Sequence, residues 1–167
     1  MPENKLGLVA KISGYSLIMI VLLAFAGLAT FAVLSDNSIH GLTVKFYNVT
    51  WACTSNSTSP NPLLVYTFSN VVVYSSSSLP TSLSSVVFSM STNGVEGGTT
   101  NGPDASFGPG QSARYTLTFT NPAINPQSQP LTSQIGLTIN ARVSAGLYSS
   151  QASASDSELV SFPSQAC

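Results

Sequence analysis

Residues 114–120 read Arg-Tyr-Thr-Leu-Thr-Phe-Thr, and in them Tyr115, Leu117 and Phe119 alternate with Thr116, Thr118 and Thr120. Successive side chains of an extended chain point to opposite faces, so a period of two marks a strand with one buried and one wet face. The same alternation returns from Ile135 to Val143. Here Ile135, Leu137, Ile139, Ala141 and Val143 share one face, and Gly136, Thr138, Asn140 and Arg142 share the other. Leu42 to Trp51, Leu63 to Tyr74, Val86 to Met90 and Leu159 to Phe162 add runs rich in β-branched and aromatic residues, for a total of about six or seven strands.

Turn chemistry separates these runs at Pro60-Asn61-Pro62, Leu79-Pro80, Asn93-Gly94, Asn101-Gly102-Pro103-Asp104, Gly108-Pro109-Gly110 and Asn121-Pro122. Proline removes a ladder donor, and glycine and asparagine accept backbone angles that strands do not use. Short strands with one apolar face each are best buried by two antiparallel sheets packed face to face. The expected class is therefore all-β, an immunoglobulin-like antiparallel β-sandwich. Within it, Glu96 to Pro109 is Gly- and Asn-rich and is expected to form a long end loop. Asn121 to Pro130, with three prolines, is expected to be an extended connector.

A different pattern precedes the strands. From Ile12 to Leu34 no residue is charged, and Leu17-Ile18-Met19-Ile20-Val21-Leu22-Leu23 is continuously apolar. At about 1.5 Å per helical residue this stretch covers the roughly 30 Å hydrocarbon core of a bilayer. The expected organisation is a short cytoplasmic tail over 1–11, a transmembrane helix over 12–35, a juxtamembrane linker over 36–41 and an extracytoplasmic β-domain over 42–167. Lys5 and Lys11 on the short side place the N-terminus in the cytoplasm by the positive-inside rule. Ala24-Phe25-Ala26 resembles a signal cleavage site, but apolar residues continue through Leu34, further than a secretory h-region runs. Ala24, Ala26, Gly27, Ala29 and Thr30 are small enough to let another helix approach closely in lipid.

Charged residues make up 7% of the chain, against roughly 25% in soluble proteins, so 29 Ser and 15 Thr must supply the polar surface. The net charge is −1, and the five basic residues stand singly at Lys5, Lys11, Lys45, Arg114 and Arg142. Such a surface offers no field for a nucleic-acid backbone, and nucleic-acid binding is excluded.

Two cysteines lie in the β-region, Cys53 just after the first strand-like run and Cys167 at the last position. A bridge between Cys53 and the final residue, Cys167, would close a long loop, contributing about 4–5 kcal/mol in the chain-entropy model, and it calls for an oxidising compartment. Asn48-Val49-Thr50 and Asn56-Ser57-Thr58 match the N-glycosylation acceptor pattern, which makes Asn48 and Asn56 the candidate glycan sites, with Ser75 to Ser78 as further acceptors. Cysteines and sequons thus agree with a domain held outside the cytoplasm.

Chemistry is sparse. His40 is the only histidine, it stands beside the membrane exit, and no nucleophile elbow accompanies it, so no catalytic residue is assigned. Asp156 and Glu158 lie two apart and would share a face of an extended chain, yet two carboxylates are fewer than the six to eight oxygens calcium prefers. Two cysteines and one histidine cannot complete a zinc site either, so neither metal nor cofactor is expected.

A short tail, one apolar helix and a hydroxyl-rich sandwich together resemble the layout of archaeal single-span surface proteins, including pilins and the accessory proteins of the archaeal swimming filament. The resemblance lies in architecture over the whole chain. It implies a non-enzymatic structural or interaction role in an envelope or surface filament, with membrane lipid and other surface subunits, self-assembly included, as partners. In the pilin version, a cut after Gly7 would leave Lys11 in the first helical turns, where a filament core would have to pair its charge. Two other roles share the layout: a non-catalytic accessory subunit of a membrane-bound enzyme such as a respiratory complex, and a virion membrane protein.

Overall fold

The computed structural model describes residues 3–54, 63–121 and 130–162. They form one helix, α1 (Glu3–His40), and eight strands: β1 (Leu42–Thr54), β2 (Leu63–Ser75), β3 (Thr81–Thr92), β4 (Val95–Asn101), β5 (Ala105–Phe107), β6 (Ser112–Asn121), β7 (Thr132–Ala145) and β8 (Tyr148–Ser161). The chain divides into two compact units, 1–34 and 35–167, so the last turns of α1 belong with the strands.

All strand pairs are antiparallel. One sheet has the order β1-β2-β6, the other β4-β3-β7-β8, with β5 also pairing to β3. Their inward faces share a single core. The alternation read from the sequence supplies it directly: Tyr115, Leu117 and Phe119 of β6, and Ile135, Leu137, Ile139, Ala141 and Val143 of β7, are all buried. Aromatic rings pack edge to face through it, Phe46 on Phe68 at 5.3 Å, Phe68 on Phe119 at 5.4 Å, and Phe88 of one sheet on Tyr115 of the other at 5.0 Å between centroids. Offset and edge-on arrangements suit the ring quadrupoles better than a face-to-face sandwich.

Three strands change parity midway. In β2 the buried residues run Leu64, Tyr66, Phe68 and then Val71, Val73, and the pairing with β6 shifts between Phe68 and Val71. In β3 they run Leu83 and then Val86, Phe88, Met90, with a shift against β7 between Ser84 and Val87 and a positive φ of 52° at Ser85. In β1 the inward set passes from Phe46 to the half-buried Val49 and Trp51 across Asn48, whose φ is 56°. An extra residue in a strand would turn every later side chain outward, and a bulge is the device that absorbs it.

Two expectations need correction. Glu96 to Pro109 is not one long loop: Val95–Asn101 pairs with the end of β3, and Ala105–Phe107 pairs with its start. Glycine and polar residues dominate this stretch, so no apolar alternation announced it. Its strand character comes from lying beside β3, an instance of tertiary context overriding propensity. The last strand is also far longer than Leu159 to Phe162, because the Ser/Ala run from Tyr148 to Ser157 pairs throughout with β7. The expected connector falls largely on 122–129, outside the described residues.

Candidate functional site

Taken by itself, the first unit is an apolar helix. Gly14–His40 contains a window of mean hydropathy 2.8, and none of that window is buried. Every residue from Gly14 to Thr30 is exposed, among them Leu17, Leu23, Phe25 and Leu28, each at 66–67%. Burying such side chains is worth about 1.5–3 kcal/mol each, so a surface of this kind is stable only against lipid or other apolar helices. Thr30 fits the same surroundings, because its hydroxyl donates to the Ala26 carbonyl at 2.8 Å and so leaves no unmet donor.

Within the second unit, the final turns of α1 are gripped by the end of β2. Ile39 joins the core and Ser35 and Ser38 are fully buried. The Ser75 hydroxyl donates to the Ser38 carbonyl at 2.8 Å, the Ser38 and Ser77 hydroxyls are hydrogen-bonded to each other, and the Ser76 amide donates to the Gly41 carbonyl at 3.3 Å. At Gly41 a Cβ would lie 2.6 Å from the Asn37 carbonyl oxygen and 2.4 Å from the Ser76 hydroxyl. Only glycine lets the helix turn into β1 at that distance. Ser75 and Ser77 are therefore inward-facing parts of this junction and not glycan acceptors. His40 reaches Asp36 at 3.3 Å in a pair with both side chains about 70% exposed, an arrangement worth little to stability and lacking a nucleophile.

At the seam between the two sheets, β1 lies beside β8. There the Lys45 ammonium donates to the Asp156 carboxylate at 2.9 Å, and the Phe46 amide donates to the other carboxylate oxygen at 3.4 Å. The hydrogen bond and charge of Asp156 hold Lys45 above its ordinary value. Asp156 is nearly buried, with a side chain 9% exposed, so of the two acids that share this face, Asp156 is held in an ion pair. The partners are 111 residues apart, and no local spacing could have linked them. Among the described residues, no group of three His, Cys, Asp or Glu side chains could hold a metal. Ser91, Gly136, Thr138, Ser155, Asp156 and Ser157 line a shallow depression of about 390 Å³, a set of hydroxyls whose single acid is already paired.

Further along the seam, Trp51 stacks on Phe162 with ring centroids 3.8 Å apart and planes 11° apart. Cys53 follows Trp51 by two residues in β1, while Cys167, its expected partner, lies outside the described residues. Asn48 is exposed, at a positive φ where β1 changes parity, and Asn56 falls outside the described residues. Burial pushes the Tyr66 hydroxyl up from its ordinary value, opposed by the Thr92 hydroxyl. Burial likewise raises Tyr115, with Asp104 adding to it.

No family model and no curated protein matches the chain. Among solved structures, one similar chain is a protein from Archaeoglobus fulgidus known from a crystal structure. It is 12% identical, with a TM-score of 0.36 over 71% of this chain and 98% of that one. A likeness at that distance carries neither fold nor role across.

Proposed function

We propose that this chain is a single-pass membrane protein: α1 anchors it, the N-terminus is cytoplasmic, and an immunoglobulin-like sandwich stands on the outer face of the cell membrane. Its role is structural or interactive, within an envelope or surface filament, and it performs no catalysis of its own. The observation that carries this reading is the uncovered apolar surface of Gly14 to Thr30, on a helix whose last turns are locked into the strand unit by Ser38, Gly41, Ser75 and Ser77.

Strand order supports the sandwich, since a three-stranded sheet faces a five-stranded one, with chain crossings between the sheets of Greek-key type. The outer placement is supported by the Trp51–Phe162 stack, which brings the chain to within five residues of Cys167 beside Cys53, within reach of a bridge. Exposed Asn48 offers a glycan acceptor on the same unit.

Gentle detergent extraction followed by mass identification of co-purifying chains tests the role. Surface or envelope subunits, or fibres of the chain itself, support it. Stoichiometric redox subunits would replace it with an accessory role in a membrane-bound enzyme, and viral structural proteins with a virion role.

A further inference from the structure

We infer that β8 pairs antiparallel, edge to edge, with β8 of a second copy of this chain, joining their two five-stranded sheets across a twofold axis. The inference goes beyond the anchor reading, because it concerns the strand unit alone and stands whatever α1 meets.

A strand at the end of a sheet leaves one row of amide and carbonyl groups without a neighbouring strand. Proteins that stay single guard that row with lysine, proline, a bulge or a very short strand. β8 is the end strand of its sheet and carries none of these guards. It is 14 residues long and holds no Lys, Arg, Pro or Gly, and its ladder with β7 runs from Ser161 to Tyr148 without a register shift. From Tyr148 to Ser155 it has no charge, and among the described residues no strand lies along its outer edge. The hydrogen bonds that tie it to β1 are made by Asp156, and the Phe162 ring stack falls beyond its end.

The other end strands are guarded. β4 has seven residues, and its ladder shifts register beside Gly98, whose φ is +114°. β1 carries Lys45 and the positive φ at Asn48, and the Asp156 carboxylate occupies its Phe46 amide. β6 carries exposed Arg114 and shifts register against β2. With one open edge per copy, the matching open edge is another β8. Two identical strands that pair in this way do so antiparallel about a twofold axis, in an interface that closes at two copies.

β8 is compatible with itself. Side chains alternate between faces, so outward ones meet outward ones only if the axis passes through a residue. About Ala152, Ser149 meets Ser155 and Gln151 meets Ser153 on one face, Ser150 meets Ala154 on the other, and each Asp156 stands opposite a Tyr148. No like charges face each other, which in a directly opposed pair would be destabilising.

The test follows the full chain in detergent by native mass spectrometry and residue-resolved hydrogen exchange over a dilution series. The inference expects a dimer in which every second amide from Ser149 to Ser155 exchanges about tenfold more slowly at concentrations that pair about nine-tenths of the chains than after dilution. Ser153→Lys puts a guard on the edge and should give monomer whose β8 amides exchange at the diluted rate. Ser155→Lys serves if Ser153→Lys loses its near-ultraviolet circular dichroism, and Thr99→Lys on β4 should leave the dimer intact. Exchange from Ser149 to Ser155 that is independent of concentration, or that slows equally in the lysine variant, overturns the inference. Either result leaves the anchor standing, since retention in the membrane is measured separately.

Discussion

Replacing Phe162 by alanine should loosen the end of the strand unit furthest from α1. Phe162 is 5% exposed, stacks on Trp51 at 3.8 Å, meets Tyr66 at 6.1 Å, and its amide donates to the Leu131 carbonyl at 2.7 Å. Truncating a buried phenylalanine costs about 3–5 kcal/mol. The lower end applies here, because the ring lies at a strand terminus and half-buried Trp51 can move into the space. About 1 kcal/mol of that loss belongs to the ring pair itself, so Trp51→Ala and Phe162→Ala together should cost less than the sum of the two alone, by about that amount. With an unfolding entropy of about 2 cal/mol/K per residue over some 130 residues, a loss of 3 kcal/mol lowers the melting temperature by about 10 °C. Thermal and urea unfolding of the full chain in detergent, followed by near-ultraviolet circular dichroism, reads both quantities. A loss below about 1 kcal/mol, or strictly additive single and double variants, would refute the claim that this stack closes the seam.

Gly41→Ala should destabilise the junction by about 1–3 kcal/mol, since the new methyl meets a backbone carbonyl that cannot step aside; limited proteolysis between His40 and Leu42 should accelerate with it. Tyr66→Phe should be neutral or slightly stabilising, because the buried Tyr66 hydroxyl has the Thr92 hydroxyl near it but makes no hydrogen bond of good geometry; a clear loss in urea unfolding would show that the two hydroxyls are bonded in solution. Lys45 is held above its ordinary 10.5 by Asp156, so the stability this pair provides is complete below pH 10.5 and is lost as pH rises through the raised value. Lys45→Met should therefore flatten the fall in melting temperature above pH 10, leaving the share due to the raised tyrosines, and an unchanged alkaline slope would count against the pair.

The strands with regular alternation, β6 and β7, were legible because each has a single face to bury. The parity changes were legible in principle, since apolar residues spaced by three at Phe46 and Val49, Phe68 and Val71, and Leu83 and Val86 mark a switch of face that period-two counting passes over. β4 and most of β8 were not legible, because Gly, Ser, Thr and Ala there carry almost no hydrophobic signal and owe their conformation to neighbours in the sheet. The apolar helix was plain from its length and lack of charge, but the packing of the last turns of α1, from Ser35 to His40, against the end of β2 was hidden. Ser75 and Ser77 read as surface hydroxyls until the fold brings them against Ser38. Likewise, Lys45 and Asp156 are an ordinary cation and an ordinary acid until the seam between β1 and β8 joins them.

The most direct check on the account is an alkaline carbonate wash of membranes from cells expressing the full chain. A helix with Gly14 to Thr30 in contact with hydrocarbon keeps nearly all of the protein in the membrane pellet. Release into the wash would mean that the apolar surface is covered by something other than lipid, and the single-pass anchor would have to be abandoned.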